Sequence, residues 1–384
     1  MSKVLLLGGG TQGLCIADCL RKCKHQIYLI SNERHNYAED SNCLEECFYM
    51  KSKDDEDYLQ KLKEYISRHS IDCIIPMGDN SAEFISKYKS ELLQVVRFKA
   101  PDYDAFLEGY DKNRLMALCR GKGYPHPQTI DLSIVDYQSE EAQIFPYPAM
   151  LKPNCTTGGR GMVEVKSYEE VLSRYPELHA QYGGYHLQRF IKAGGKQVKI
   201  QLYLNDKGEL LQKSVMQKMR WYPNKAGSNC CARSIENEHI VDICYNILKD
   251  IKWVGFADFD AIEDPDTGEL LIMEINPRIP ACIKAACAAG INWGEVIVND
   301  IMGLPQRTYP YETDICMRHL GLDTLWFLHA DNKWSTKPSW FKLIGKNIYY
   351  QDMNGWKDMK PFIMGSWHNI KKLFDPEFKK AKQG

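Results

Sequence analysis

The sequence predicts an α/β fold of two or three domains, and three observations predict it. Short apolar strands alternate with helical stretches through the first hundred residues, a glycine-rich turn joins the first strand to the first helix, and a strand-rich second half ends in an acidic hairpin. At 384 residues, with 44% apolar side chains, the chain is long enough for separate cores. The opening elements are KVLLLG, a helix through Thr11 to Lys24, QIYLIS, a helix near Asp55 to His69, and DCIIPMG. That order argues for a parallel sheet covered by helices. The turn Gly8-Gly9-Gly10-Thr11-Gln12-Gly13 fits G-x-G-x-x-G, in which backbone amides and a helix N-terminus hold a phosphate. A dinucleotide site also needs an acid closing the second strand. Here Glu33 comes two residues late.

Asp111 opens a helix, DKNRLMALCRGKG, which Gly121 and Gly123 close. A strand, YPAMLKP, then runs through Lys152 into a polar loop, Asn154 to Gly161, and resumes at MVEVK. Because the loop joins two strands, it is not a Walker A loop, but its amides can still cover phosphates. A helix, SYEEVLSRYPELHAQ, the strand HLQRFI, and the pair KQVKIQLYL and ELLQKSVMQ follow. The polar segment RWYPNKAGSNCCARSI carries Arg220, Lys225 and Arg233, and a helix of about a dozen residues starts at Asn237. Two further helices, IPACIKAACAAG and WGEVIVNDIMG, close the domain.

The segment Gly255 to Arg278, GFADFDAIEDPDTGELLIMEINPR, holds the most chemistry. Two alternating apolar runs flank the turn residues Asp264 to Gly268, which predicts an antiparallel hairpin. A turn centred near Asp266-Thr267 sets Asp260 almost opposite Glu274, and the two-residue period puts Asn276 on the same face as Glu274. Glu274 and Asn276 end a buried apolar run, where an unpaired charge is costly. Three converging oxygens suit Mg²⁺ or Mn²⁺, and Arg278 reaches the same phosphates.

A formal charge of -1 gives no bulk attraction for nucleic acid. The N-terminus shows no cleavable hydrophobic region, and no long apolar run spans a membrane, so the cytoplasm is the expected location. Fourteen cysteines are scattered with no Cys-x-x-Cys pair. Cys15, Cys19 and Cys23 share a helix face and read as reduced packing residues, as does Cys155 in the loop. Residues 306–384 hold five of eight tryptophans and a basic end. Aromatic packing is the default there, and peripheral contact with a membrane surface is the alternative.

Taken in order, these motifs resemble the ATP-grasp superfamily, in particular stand-alone proteins similar to half of the carbamoyl-phosphate synthase large subunit and to D-aspartate ligase. The resemblance runs from residue 1 to about 305. It implies a Rossmann-like (pre-ATP-grasp) parallel-sheet domain at 1–110 that binds no NAD, a mobile lid at 111–186 and a mixed-sheet nucleotide domain at 187–305, followed by the extension 306–384. It also implies that Lys112 and Lys152 contact phosphates and that Gly158, Gly159 and Gly161 form the lid loop. The stretch from Gln188 through Arg189 to Ile191 is the adenine hinge, and Gln197 takes the ribose position. Asp260, Glu274 and Asn276 match the ligands of one or two Mg²⁺ ions, and Arg278 matches the arginine at the transferred phosphoryl. The family pattern has Glu at the positions of Gln188 and Gln197, and neutral acceptors bind hydroxyls more weakly.

The implied activity is an ATP-dependent carboxylate-amine ligase working through an acyl phosphate, with small-molecule carboxylate and amine substrates and a homodimeric assembly. Arg220 and Arg233 are the candidates to hold the substrate carboxylate in bidentate fashion. Two rivals remain at this point: an NAD(P)-dependent oxidoreductase using the Gly8 to Gly13 turn, and a non-catalytic nucleotide sensor, suggested by the two glutamines.

Overall fold

A computed structural model describes residues 1–31, 34, 36–155, 160–223 and 227–373. The first unit comprises β1 (Lys3–Leu7), α1 (Gly10–Lys22), β2 (Gln26–Ser31), β3 (Glu46–Tyr49), α2 (Asp55–His69), β4 (Cys73–Pro76), α3 (Asp79–Lys87) and α4 (Lys89–Leu92). Its strands run in the order β3-β2-β1-β4 and every neighbouring pair is parallel. Helices cover both faces, so Val4, Leu5, Leu6 and Leu7 of β1 are all buried, as a continuous apolar strand requires.

The glycine turn is filled by the chain itself. Gly8 and Gly10 adopt φ of 117° and 82°, which side chains resist. The Gly10 amide donates to Asn36 Oδ1 at 3.4 Å, and Gln12 Nε2 donates to the Met77 carbonyl at 3.1 Å. Asn36 lies so close to Gly9 that a Cβ there would meet its Oδ1 at 2.1 Å. The pattern here serves close packing of α1 on the sheet, and nothing in it favours a dinucleotide. Glu33, the late acid, falls outside the described residues.

α5 (Tyr103–Tyr110) and α6 (Lys112–Lys122) lead into a second sheet built from β5 (Thr129–Asp131), β6 (Ala149–Pro153), β7 (Val163–Val165) and β8 (Tyr185–Arg189), with α7 (Glu140–Gln143) and α8 (Tyr168–Tyr182) alongside. Its order is β5-β8-β6-β7 and its pairs are antiparallel. This second unit has its own core around Leu151, Val165, Tyr185 and Leu187, and its strand β8 runs past residue 186 to Arg189.

The third sheet contains β9 (Gln197–Leu204), β10 (Leu210–Tyr222), β11 (Ser228–Ile235), β12 (Gly255–Glu263), β13 (Leu270–Asn276), β14 (Cys316–Arg318) and β15 (Ile348–Tyr350). The strand order is β13-β12-β9-β10-β11-β14-β15. α9 (Glu238–Asp250) packs on the face formed by Val198, Ile200 and Ala261. α10 (Lys284–Ala288) and α11 (Trp293–Met302) pack with α1 in the core that joins this unit to the first sheet.

The extension after residue 305 is not a separate body. β14 and β15 lengthen the third sheet, β14 antiparallel to β11 and β15 parallel to β14, so the expected boundary falls inside one structural unit. α12 (Leu320–His329) and α13 (Lys360–Leu373) complete it. Of its tryptophans, Trp326 is buried and Trp340 stacks on Phe327, with ring centres 4.3 Å apart. Trp334, Trp356 and Trp367 are exposed. No single helix among the described residues is long and apolar enough to cross a membrane.

Candidate active site

Beside the turn the hairpin register is the one the turn residues predict, with Ala261 facing Ile272, and a bulge between Asp260 and Ala261 then shifts the pairing by one residue. β12 pairs with β13 so that Asp260 faces Glu274 and Asp258 faces Asn276, while the Gly268 amide closes the turn onto the Asp264 carbonyl at 2.7 Å. On the inner side, Asp260 faces Lys199 and Asp258 faces Gln201 of β9. Because side chains of paired residues share a face, Asp258, Asp260, Glu274, Asn276 and Lys199 form one polar patch.

Charges in the patch are closely matched. Lys199 Nζ lies 2.6 Å from Asp258 Oδ2 and 2.8 Å from Asp260 Oδ2, and Lys218 Nζ lies 2.6 Å from Asp260 Oδ1. Burial opposes ionisation of Asp260, yet the two lysines outweigh it and hold its carboxyl well below the usual range. Asp258, fully buried, is pushed the other way by desolvation. Asn276 Nδ2 donates to Asp260 Oδ2 at 3.1 Å and to the Asp258 carbonyl at 3.2 Å, which leaves its own amide oxygen for another ligand.

Two more lysines approach from other elements. The Asp111 side chain caps α6 by accepting from the amides of Asn113 and Arg114 at 2.8 and 3.2 Å. That cap fixes Lys112, whose Nζ stands 3.3 Å from Glu274 Oε2. The Lys112 amide also donates to the Asn154 carbonyl at 3.2 Å, tying α6 to the loop after β6. Lys152 on β6 faces His186 on β8 and donates to Gln188 Oε1 at 2.5 Å. Burial brings the Lys152 ammonium down to about 8, with Lys112 adding repulsion and Glu274 opposing it. His186 is fully buried, its Nδ1 3.0 Å from Asn154 Oδ1. Burial and the two lysines hold it well below the ordinary range, so it is neutral.

Arg278 Nε lies 3.0 Å from Asp79 Oδ1, at the start of α3. Burial works against its charge, but Asp79, Asp258 and Asp260 more than restore it. Gly161 sits at φ 73°, where a Cβ would meet Pro153 and Tyr185 at 2.9 Å, and its carbonyl accepts from Tyr185 Oη at 3.0 Å. Gly158 and Gly159 lie outside the described residues. Gln188 spends its side chain on Lys152 and on Thr129 Oγ1, the latter at 3.1 Å, so a nucleotide would meet this strand through backbone. Arg189 is drawn to Asp264 at 2.6 Å. Gln197 faces Lys218 and Ile262 in register, and Ile191 follows the end of β8. Cys155 makes a 3.5 Å contact with Asp111 Oδ2, and burial with that carboxylate pushes its thiol up to about 12, which fits no reactive role.

Arg220 and Arg233, expected to hold a substrate carboxylate, are used otherwise. Arg220 is buried and forks onto Asp323, its Nε and Nη2 at 2.6 and 2.8 Å, with Nη1 2.6 Å from the Pro338 carbonyl. A bulge between Lys218 and Arg220 shifts the strand phase, which turns Arg220 away from Asp260. Arg233 faces Gln217 and donates from Nη2 to its Oε1 at 3.0 Å. Gln217 is one residue out of phase with Lys218, so Arg233 lies on the far face of the sheet. Sequence reasoning also missed Lys199, Lys218, Asp258, Asp79 and His186. Lys199 inside the apolar run VKIQL, and Asp258 two residues before Asp260, were the available signals.

Residues 111–292 match the family model "Carbamoyl-phosphate synthase L chain, ATP binding domain". The biotin carboxylase domain of 2-oxoglutarate carboxylase from Hydrogenobacter thermophilus has the same fold, with a TM-score of 0.69 at 16% identity, covering 82% of this chain and 73% of that one. The chain has the ATP-grasp fold. D-aspartate ligase from Enterococcus faecium is 24% identical to this ATP-grasp chain over 348 residues, 85% of this chain and 80% of the ligase. A carbamoyl phosphate synthase large-chain section from Methanopyrus kandleri is 25% identical over 218 residues, 54% of this chain, which spans 40% of that protein. The ATP-grasp match begins at Asp111, the cap of α6, and ends at Asn292, the cap of α11. It therefore takes in Lys112, Lys152, the hairpin and Arg278 and leaves out Asp323 and Arg318.

Proposed function

We propose that this ATP-grasp protein is an ATP-dependent carboxylate-amine ligase. One observation carries the reading: Lys112 and Lys152, from α6 and the lid sheet, converge with Glu274 beside Asp260, Asn276 and Arg278. That is a cluster of cations next to a set of oxygen donors, the pairing a magnesium-bound triphosphate needs.

The donor set fits Mg²⁺, and Mn²⁺ as a substitute. Glu274, Asp260 and the oxygen of Asn276 are hard ligands on one hairpin face, and Lys112, Lys199 and Lys218 balance the carboxylates in this structure. Bound there, one or two ions would neutralise phosphate charge and act as Lewis acids. Lys112 and Lys152 would take the phosphates, exchanging Glu274 and Gln188 for phosphate oxygens. Gly158, Gly159 and Gly161 would cover them. The backbone from Gln188 through Arg189 to Ile191 would meet adenine, and Gln197 the ribose. D-aspartate ligase, by its name, joins an amino acid, and the overall likeness to it supports a carboxylate and an amine as substrates.

In that reading a substrate carboxylate oxygen attacks the γ-phosphorus, the bond to the β–γ bridging oxygen breaks, and ADP leaves. Arg278 stabilises the charge on the phosphoryl and then on the acyl phosphate. An amine attacks the acyl carbon, phosphate departs with the C–O bond, and the nitrogen loses a proton as the amide forms. Asp79, which now holds Arg278, orients it for this task.

The test is to incubate the protein with Mg-ATP, hydroxylamine and a panel of carboxylic acids. Formation of ADP and a hydroxamate from one acid is the expected result. Magnesium-dependent ATP binding with no hydroxamate and no ADP across a broad panel would instead favour a nucleotide sensor.

A further inference from the structure

Outside the nucleotide site, three thiols meet at the seam between the first unit and the nucleotide domain. Cys15 and Cys19 lie one turn apart on α1, and Cys287 comes from α10. The three sulfur atoms lie within 4.8 Å of one another, with Cys19 Sγ and Cys287 Sγ at 3.6 Å. Cys15 and Cys19 are buried and Cys287 is half-buried.

Reduced cysteines usually pack as small hydrophobes, each among carbon atoms. These three instead pack sulfur to sulfur, from two elements far apart in sequence. A zinc–sulfur bond of about 2.3 Å sets neighbouring sulfurs of a tetrahedral shell roughly 3.8 Å apart, close to the spacing already present. Thiolates are soft donors that select d¹⁰ ions such as Zn²⁺ and Cu⁺. A dication with three thiolates carries one net negative charge, and the ammonium of Lys284, on the same short helix as Cys287, acts electrostatically on Cys15. Cys23, the next cysteine along the α1 face, is engaged by Glu295 at 3.4 Å and Asn292 at 3.3 Å, so three thiols define the shell.

We propose that Cys15, Cys19 and Cys287 form a thiolate site for one soft d¹⁰ cation, Zn²⁺ or Cu⁺, clamping α1 to α10. Binding releases the three thiol protons. α10 follows the Arg278 strand end through a single 3₁₀ turn, Ala281–Ile283, so an occupied clamp stiffens the seam beneath that arginine.

The experiment uses the full-length chain, reduced and stripped of metal. Titration with Cd²⁺ should show a thiolate-to-metal charge-transfer band saturating at one equivalent, and Zn²⁺ should raise the melting temperature. The variant Cys19→Ala/Cys287→Ala should lose that equivalent and the Zn²⁺-induced rise. Cys287→Ser alone, at the half-buried position, should weaken it if the double variant folds poorly. A control, Cys231→Ala, breaks the other close sulfur pair, Cys231 and Cys316 at 3.7 Å, and should change nothing. Equal Cd²⁺ uptake by wild type and both clamp variants would overturn the proposal. So would a Cys19–Cys287 disulfide in protein purified without reductant together with no metal uptake after reduction.

Discussion

At one point of β10, Lys218 meets Asp260, and two residues on, past the bulge, Arg220 meets Asp323. Both places hold two cations around a carboxylate: Lys199 and Lys218 on Asp260, Arg220 and Arg318 on Asp323. The Asp323 cluster is sealed, with side chains no more than 1% exposed. Trp326 lies over Arg220 and Trp340 over Arg318, at 5.1 and 5.7 Å. The Asp260 cluster is part open, with side-chain exposures of 14% and 15% for Lys218 and Asp260, rising to 34% at Glu274. Guanidinium groups engaged by a carboxylate, capped by aromatic rings and sealed from solvent give a ligand no way in, even though Arg318 Nη2 has no hydrogen-bond partner among the described residues. Ammonium point charges on flexible stems can trade a carboxylate for a phosphate. The same residue types thus make a clasp at one end of the strand and a candidate site at the other.

If that contrast is right, changes at the open cluster should remove activity and spare the fold. Glu274→Gln or Asn276→Ala should lower turnover by about 10²-fold or more, with an unchanged circular dichroism spectrum. Near-normal turnover in either would undo the metal assignment. Lys152→Ala should also remove most of the activity. The closed cluster should behave in the opposite way. Asp323→Asn leaves two buried arginines without their shared charge, and urea unfolding should show a loss of about 3–5 kcal/mol, with activity retained in whatever fraction stays folded.

Much of this contrast was readable in the chain, and the unread part has a local cause. The turn Asp264 to Gly268 set the hairpin register to within one residue, and a bulge between Asp260 and Ala261, which no periodicity reveals, brought Glu274 opposite Asp260. The helix cap at Asp111 and the Lys-Pro strand end placed Lys112 and Lys152. Arg220 was misread because one bulge changed the phase of β10, and because its partner Asp323 is 103 residues away. β14 and β15 are three residues each, too short to show a period, so the extension looked like an appendage. The sulfur cluster needed α1 and α10 brought together, which no spacing on α1 alone reveals.

Smaller effects sharpen the comparison further. Lys152 sits near 8 when folded, against about 10.4 for a free lysine. Its charged form dominates below that value, so kcat/KM for ATP, which reports the free enzyme, should fall as pH rises through about 8. Lys152→Arg, if active, should hold its kcat/KM to higher pH. Between those two values the unfolded chain binds the extra proton, so this group makes the folded state gain stability as pH rises across that window. The smallest expected change is at Arg233→Ala, on the far sheet face. Stability should move by no more than about 0.5 kcal/mol, and the KM for any acid found in the hydroxamate screen should stay put.

The central claim is that the hairpin and its lysines form a magnesium-nucleotide site, and calorimetric titration with ATP tests it most directly. Wild-type protein should bind one ATP, more tightly with Mg²⁺ than with EDTA, and Glu274→Gln should lose the magnesium dependence while remaining folded. Equal affinity with and without Mg²⁺, unchanged by Glu274→Gln, would contradict it.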